Sequence, residues 1–252
     1  MNLEDTAAIV TGAASGLGAA TARALAAHGA QVFALDIADA IAGAPSIDGV
    51  TCVASDVTVP ADVAAAVDRA AQCGAPLRTV VNCAGIAAFE PILSDKGSHD
   101  LALFRRVVEV NLIGTVNVMT LAAEAISHTE PQTDNVRGVV INTASIGAFD
   151  GLNGTAAYTA SKSAVAGLTL PAARDLASYG IRVVTLAPGI FDTGMFAMGQ
   201  ATDEMRTAAG ATIPFPKRIG RPEEFAALVL DAVEHDYLNG EVIRFDGALR
   251  LG

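Results

Sequence analysis

Eight residues near the amino end, Thr11-Gly12-Ala13-Ala14-Ser15-Gly16-Leu17-Gly18, constrain the fold more than any others. They follow a short apolar run, Ala7–Thr11, and open a helical pattern from about Leu17 to His28 that Gly29 stops. Glycines let the chain turn sharply and let its backbone approach a pyrophosphate. The helix N-terminus then supplies free N–H donors and positive potential. A glycine trio alone also fits a tight turn with no ligand. The strand–turn–helix context makes Gly12, Ser15, Gly16, Leu17 and Gly18 a candidate phosphate cradle.

The rest of the chain repeats the alternation. Candidate strands are Ala7–Thr11, Gln31–Asp36, Val50–Ala54, Thr79–Cys83, Gly138–Thr143, Arg182–Ala187 and Val242–Phe245. Continuous apolar character, as in Val139-Val140-Ile141, marks strands covered on both faces, as in a parallel sheet. Helical stretches follow Pro60 and Pro222 and cover roughly Asp100–Ser127 and Ala157–Tyr179. The expected fold is α/β: a Rossmann-type, doubly wound parallel sheet of seven strands in a single domain over residues 1–252. Ile190–Lys217 is the one long irregular stretch and the candidate lid.

Asp36 ends the second candidate strand, where a carboxylate can accept hydrogen bonds from both adenosine ribose hydroxyls and repel a 2′-phosphate. No Lys or Arg occurs between Arg23 and Arg69, so nothing nearby in sequence neutralises an extra phosphate. The expected cofactor is therefore NAD. Asp56-Val57, after the third strand, can hold the adenine edge, or Asp56 can simply form a turn. Asn82, Ala84 and Gly85, around Cys83, close the fourth strand with small residues that permit close backbone approach beside a cofactor.

Tyr158 and Lys162 lie four positions apart, on one face of a helix. A phenol ionises near pH 10, and a fixed ammonium beside it is expected to lower that value toward the working range of an acid–base catalyst. Such a pair alone is commonly a solvated helix face. Ser145 ends the fifth strand thirteen residues earlier, at the carboxyl edge of the sheet where ligands bind in this architecture, and can orient a substrate oxygen. Asn111 can hold a water linking Lys162 to solvent, or be a buried structural asparagine.

Composition narrows the partners. Hydrophobic residues make up 52% and charged residues 17%, enough apolar material for a large core. A net charge of -11 with no basic block argues against nucleic acid. The longest charge-free stretch, Thr6–Ala22, is broken by glycines, so no membrane partner is expected. Cys52, Cys73 and Cys83 are too widely spaced for a zinc site or disulfide frame, so no metal and a cytoplasmic location are expected.

Together, TGAASGLG at 11–18, Asp36, Asp56, NCAG at 82–85, Asn111, Ser145, YTASK at 158–162 and Pro188-Gly189 resemble the short-chain dehydrogenase/reductases along the whole chain. The resemblance implies Tyr158 as acid/base, Lys162 as its pKa modifier and ribose ligand, Ser145 as substrate aligner and Asn111 as support for a water relay. It also implies that Pro188-Gly189 and Thr193 meet the nicotinamide, Thr193 through its carboxamide, and that the enzyme is a homotetramer. Two departures stand out. Cys83 replaces the usual second asparagine, and Pro171 should kink the helix beyond Lys162.

The stretches 142–151, 169–177, 213–229 and 238–251 further resemble the type II 3-hydroxyacyl-CoA dehydrogenase subgroup, where Pro171 has an equivalent. That implies an acyl-CoA substrate oxidised at its 3-hydroxyl, although the segment after Ile86 is shorter than the subgroup's insertion. Phe191, Met195, Phe196, Met198, Ile213 and Phe215 give the lid apolar surface for an acyl chain or steroid, or simply pack it down. Lys217 and Arg218 are candidates for CoA phosphates. The alternatives are a hydroxysteroid or other secondary-alcohol dehydrogenase, and a scaffold protein that keeps the fold and cofactor without needing turnover.

Overall fold

The computed structural model describes residues 1–95, 97–196, 200 and 202–251. Its main sheet has seven parallel strands: β1 Ala7–Thr11, β2 Gln31–Asp36, β3 Val50–Ala54, β4 Leu77–Asn82, β5 Gly138–Thr143, β6 Ile181–Pro188 and β7 Val242–Phe245. They lie in the order β3-β2-β1-β4-β5-β6-β7. β1, β4, β5 and β6 are buried along their whole length, which is why they read as unbroken apolar runs.

Side-chain alternation divides the core in two. Ile9, Leu35, Val80 and Val140 face one layer, with Val63 and Val67 of helix α2 (Pro60–Ala71). Val10, Ala34, Val81 and Ile141 face the other, with Leu25 of helix α1 (Gly16–Ala27). Helix α7 (Pro222–Glu234) completes that second layer through Phe225 and Val229. From β1 the chain winds outward to β2 and β3, then returns to β4 on the other side. The crevice beyond the carboxyl ends of β1 and β4 is thus a topological switch point.

The helix expected over 100–127 is not uniform. α3 (Leu101–Val108) passes into a π turn, Glu109–Ile113, and then into α4 (Gly114–Ser127). A π turn takes in an extra residue, which re-aims the side chain at its centre. Here that residue is Asn111. By length and composition alone, 101–127 could cross a membrane. Its Val107, Val118, Ala122 and Ile126 are instead fully buried within the protein.

α5 (Ala156–Leu176) continues through Pro171, against the expected kink. Pro171 is exposed, and so is Gly167, whose carbonyl the ring displaces and water can satisfy. The 190–217 stretch is also more ordered than expected, because it contains α6 (Asp203–Thr212). Thr202 caps α6 by accepting a bond from Met205 N at 3.2 Å, and Asp203 and Glu204 complement its positive end. Met198 lies outside the described residues.

Candidate active site

Two glycines make the turn after β1 as tight as backbone allows. Gly12 has φ +63, and a Cβ there would come within 2.8 Å of Ala84 N in the loop after β4. A Cβ on Gly18 would overlap the carbonyl oxygen of Gly12 and lie 2.7 Å from its carbon. Ser15 is the N-cap of α1 but makes no side-chain cap bond, and the first turn carries no acid. The helix therefore presents uncapped N–H donors and an uncompensated positive end, a good fit for a diphosphate. Gly16, with φ +53, faces Thr193 at the base of the lid; its Cβ would lie 3.2 Å from the threonine side chain.

At the tip of β2, Asp36 Oδ2 accepts from Ala14 N at 3.0 Å and Oδ1 from Ile37 N at 2.9 Å. Its carboxylate is thereby fixed beside the glycine turn. Asp56 is the turn former that its position allowed, since Oδ1 accepts from Thr58 N and Oγ at 2.9 and 2.7 Å. The carbonyl of Val57 is held by Asn117 Nδ2 at 2.9 Å. Arg105 and Arg106, far away in sequence, line a cleft with Asp56 and Thr58. Charge absent along the chain is thus present in space at this end.

The 82–85 loop is held by a residue that the motif contained but sequence reasoning did not single out. Thr11 Oγ accepts from Cys83 N at 3.1 Å and Ala84 N at 3.0 Å. Asn82 is buried and donates to Asn142 Oδ1 at 2.9 Å. A Cβ on Gly85 would sit 3.1 Å from Asn111 Oδ1 and 3.4 Å from Lys162 Nζ, so the loop backbone abuts the reacting end. Burial raises the Cys83 thiol to about 11, and Thr143 Oγ donates to its sulfur at 3.7 Å.

Ser145, Tyr158 and Lys162 come together as expected. Tyr158 and Ser145 lie on either side of Gly147. Gly147 sits against both: its Cβ would lie 3.4 Å from Ser145 Oγ and 3.5 Å from Tyr158 Cε1. Ser145 Oγ also accepts from Gly147 N at 3.1 Å. Lys162 is buried, donates to the Thr143 carbonyl at 2.7 Å and lies 6.0 Å from the centre of the Tyr158 ring.

The electrostatics differ from expectation. Loss of hydration lowers Lys162 to about 8, with the Cys83 thiol opposing the shift. Burial pushes the Tyr158 phenol above its ordinary value, and the Ser145 hydroxyl beside it pulls the other way. Lys162, turned toward the Thr143 carbonyl, does not bring the phenol down. Lys162 sheds its proton near 8, below the range in which the phenol ionises, so it offers the phenolate no standing charge.

Asn111 is buried, as the structural alternative for it has it. Its Oδ1 accepts from Ile86 N at 2.8 Å, and its Nδ2 donates to Ile86 O at 2.9 Å and Ser161 Oγ at 3.0 Å. Both Nδ2 hydrogens and one Oδ1 lone pair are taken by protein groups, so the side chain pins the segment after Gly85. Pro188 accepts from Ile146 N at 3.0 Å, and Gly189 donates to Phe245 O at 3.0 Å, joining three strand ends beneath the site.

The apolar lid residues divide by burial. Phe191 and Ile213 are in the core, Phe191 packed edge-on to Phe225 and tilted against Phe245. Phe196 packs against the cluster around Ile213 and Ile219. Met195 and Phe215 are 42% and 82% exposed and remain available to a ligand. Arg218 is not available for phosphates, because it forks onto Glu224 at 2.6 and 2.8 Å. Among the described residues no cluster of His, Cys, Asp and Glu could hold a metal ion.

Known proteins resemble the chain along its length. Residues 6–204 match the short chain dehydrogenase family. A 3-hydroxyacyl-CoA dehydrogenase type-2 from Drosophila melanogaster is 46% identical over 254 residues, covering 99% of both chains. The Homo sapiens protein of the same name is 45% identical, covering 97% of this chain and 95% of its own. A crystal structure of 3-hydroxyacyl-CoA dehydrogenase type-2 from Mycobacterium avium superposes with a TM-score of 0.90 at 37% identity, covering 100% of this chain and 99% of that one. With the switch-point glycine turn and the Ser145, Tyr158 and Lys162 group in place, the chain belongs to the short-chain dehydrogenase family of oxidoreductases.

Proposed function

We propose that this enzyme interconverts a 3-hydroxyacyl-CoA and the 3-ketoacyl-CoA, using NAD. The observation that carries the reaction type is Ser145 and Tyr158 meeting at Gly147 beside a buried Lys162. The relatives' names support the acyl-CoA. Gly12, Ser15, Gly16, Leu17 and Gly18 would hold the diphosphate, Asp36 the adenosine ribose, and Asp56-Val57 the adenine. Asn82, Ala84, Gly85, Pro188, Gly189 and Thr193 would line the nicotinamide half. Bound there, NAD supplies the hydride acceptor.

In reduction the protonated Tyr158 phenol gives its proton to the carbonyl oxygen; in oxidation Tyr158 would act as the phenolate, which the positive nicotinamide of bound NAD would favour, and take the 3-hydroxyl proton back. Ser145 hydrogen-bonds the same oxygen and sets its direction. Lys162, with its proton affinity lowered to about 8, is poised to replenish the Tyr158 proton and to bind the nicotinamide ribose. Asn111 acts at one remove, by fixing Ile86 and Ser161 around Lys162.

Exposed Met195 and Phe215 suit the acyl chain. The homotetramer that the family resemblance implies is tested by light scattering. The free cysteines fit a cytoplasmic setting. Purified protein should oxidise NADH on addition of acetoacetyl-CoA, with NADPH a much poorer donor. No turnover with any short acyl-CoA would remove the substrate assignment.

A further inference from the structure

Ser145 orients substrate only if its own hydroxyl is held in place, and the element that holds it is not stable alone. Its Oγ accepts from Gly147 N, the first residue of a single helical turn, Gly147–Asp150. One turn of four residues does not persist without tertiary support. This turn has no side-chain cap at its start and ends on Gly151, at φ +59.

The turn packs on α5, and most of its polar support comes from far along the chain. Arg244, on β7, donates both guanidinium arms to the two Asp150 oxygens, each at 2.8 Å. The same guanidinium reaches Asp246 Oδ2 at 2.8 Å and the Leu249 carbonyl at 3.1 Å, and lies 5.5 Å from the Phe149 ring centre. Leu251 N donates back to Asp150 Oδ2 at 3.1 Å. Ile146, next to Ser145, is buried against Leu249, Ile213 and Ile219. One further anchor, Ser163 Oγ donating to the Ala148 carbonyl at 2.7 Å, comes from α5.

We propose that Asp150 and Arg244 are positioning residues for Ser145, through which the carboxyl-terminal segment 246–251 sets the direction of the serine hydroxyl. The proposal rests on the reading of Ser145 as the substrate-orienting group. A bidentate pair fixes both distance and angle, which a single contact does not. The pair is sheltered, with the Asp150 and Arg244 side chains 10% and 23% exposed, so water competes weakly for it. The same segment also touches the lid. A Cβ on Gly247 would press on Ile213 at 2.6 Å, and Phe215 N donates to the Gly247 carbonyl at 3.4 Å. Lid base and serine turn therefore share one support.

The test combines kinetics with amide exchange in full-length enzyme. Asp150→Asn should lower kcat about tenfold or more while leaving KM for NADH within about twofold, because the diphosphate cradle lies elsewhere. Arg244→Lys, which keeps the charge but loses the fork, should fall between the two. In a Ser145→Ala background Asp150→Asn should produce no further loss, since the serine it acts through is gone. Amides 147–150 should exchange about tenfold faster in Asp150→Asn, with those of α1 unchanged.

Equal losses in both backgrounds, or a kcat unchanged by Asp150→Asn, would overturn the proposal. So would unchanged exchange at 147–150, a readout that needs no substrate. Failure of acetoacetyl-CoA as a substrate is a different result, seen in the wild-type enzyme, and overturns only the acyl-CoA reading.

Discussion

Replacing Gly18 with alanine sets two calculable effects against each other. Gly18 lies in the first turn of α1, and alanine in a helix is favoured over glycine by about 1 kcal/mol. Against that, the added methyl would overlap Gly12 O and approach Gly12 C at 2.7 Å and Ala13 Cα at 3.0 Å. All three atoms are backbone and cannot rotate aside. Overpacking of this kind costs about 1–3 kcal/mol or more, and a contact this close belongs at the upper end.

The expected net loss is about 2 kcal/mol, a fall in Tm of about 4–8 °C for a chain of this size. Because relief requires α1 to move off β1, the turn should also loosen and NADH affinity fall about tenfold, equivalent to about 1.4 kcal/mol. Thermal unfolding followed by circular dichroism and titration of NADH fluorescence measure the two. A variant with wild-type midpoint and wild-type affinity would refute the packing argument for the turn.

Three further outcomes follow from the charges. Lys162 is lowered from 10.5 to about 8 in the folded protein, so between those values the unfolded chain holds a proton that the folded one does not. Folding stability relative to Lys162→Met should therefore rise with pH across that window, by up to about 1.4 kcal/mol per pH unit, measured by urea unfolding. Glu224 is held near 2 by Arg218, so its contribution is present above the ordinary carboxylate range and lost as pH falls toward 2. Glu224→Gln should shift acid unfolding to higher pH, as circular dichroism would detect. Asp36→Ala removes the carboxylate that would repel a 2′-phosphate, and should raise kcat/KM for NADPH while lowering it for NADH.

What was legible in the sequence was whatever local patterning records. β1, β2, β3, β5 and β7 begin and end where their apolar runs do, and Gly29 and Pro222 mark helix ends because backbone conformation demands those residues there. The π turn around Asn111 carries no such mark, since 109–113 has the composition of ordinary helix. α6 was hidden by a weak apolar period, although Thr202-Asp203-Glu204 is a helix-start signal.

At the site, Ser145, Tyr158 and Lys162 were visible because chemistry needs those residue types at those spacings. Their supports were not. Thr11 beneath Cys83, Asn117 on Val57 and Arg244 on Asp150, the last pair separated by 94 positions, are through-space contacts with no periodic trace. The direction of the Tyr158 shift was missed for a related reason. Spacing placed an amine nearby, but only packing reveals that burial raises the phenol, lowers Lys162 and leaves its amine facing the Thr143 carbonyl.

The central claim is that Tyr158 moves the proton for NAD-dependent chemistry on a 3-ketoacyl-CoA. Its most direct test is acetoacetyl-CoA-dependent NADH oxidation by wild type and Tyr158→Phe, with NADH binding measured in both. Turnover by wild type and a loss of about 10²–10⁴-fold in Tyr158→Phe, with NADH affinity retained, is the predicted result. Turnover that survives loss of the phenol, or a wild-type enzyme that binds NADH and leaves acetoacetyl-CoA untouched, would contradict it.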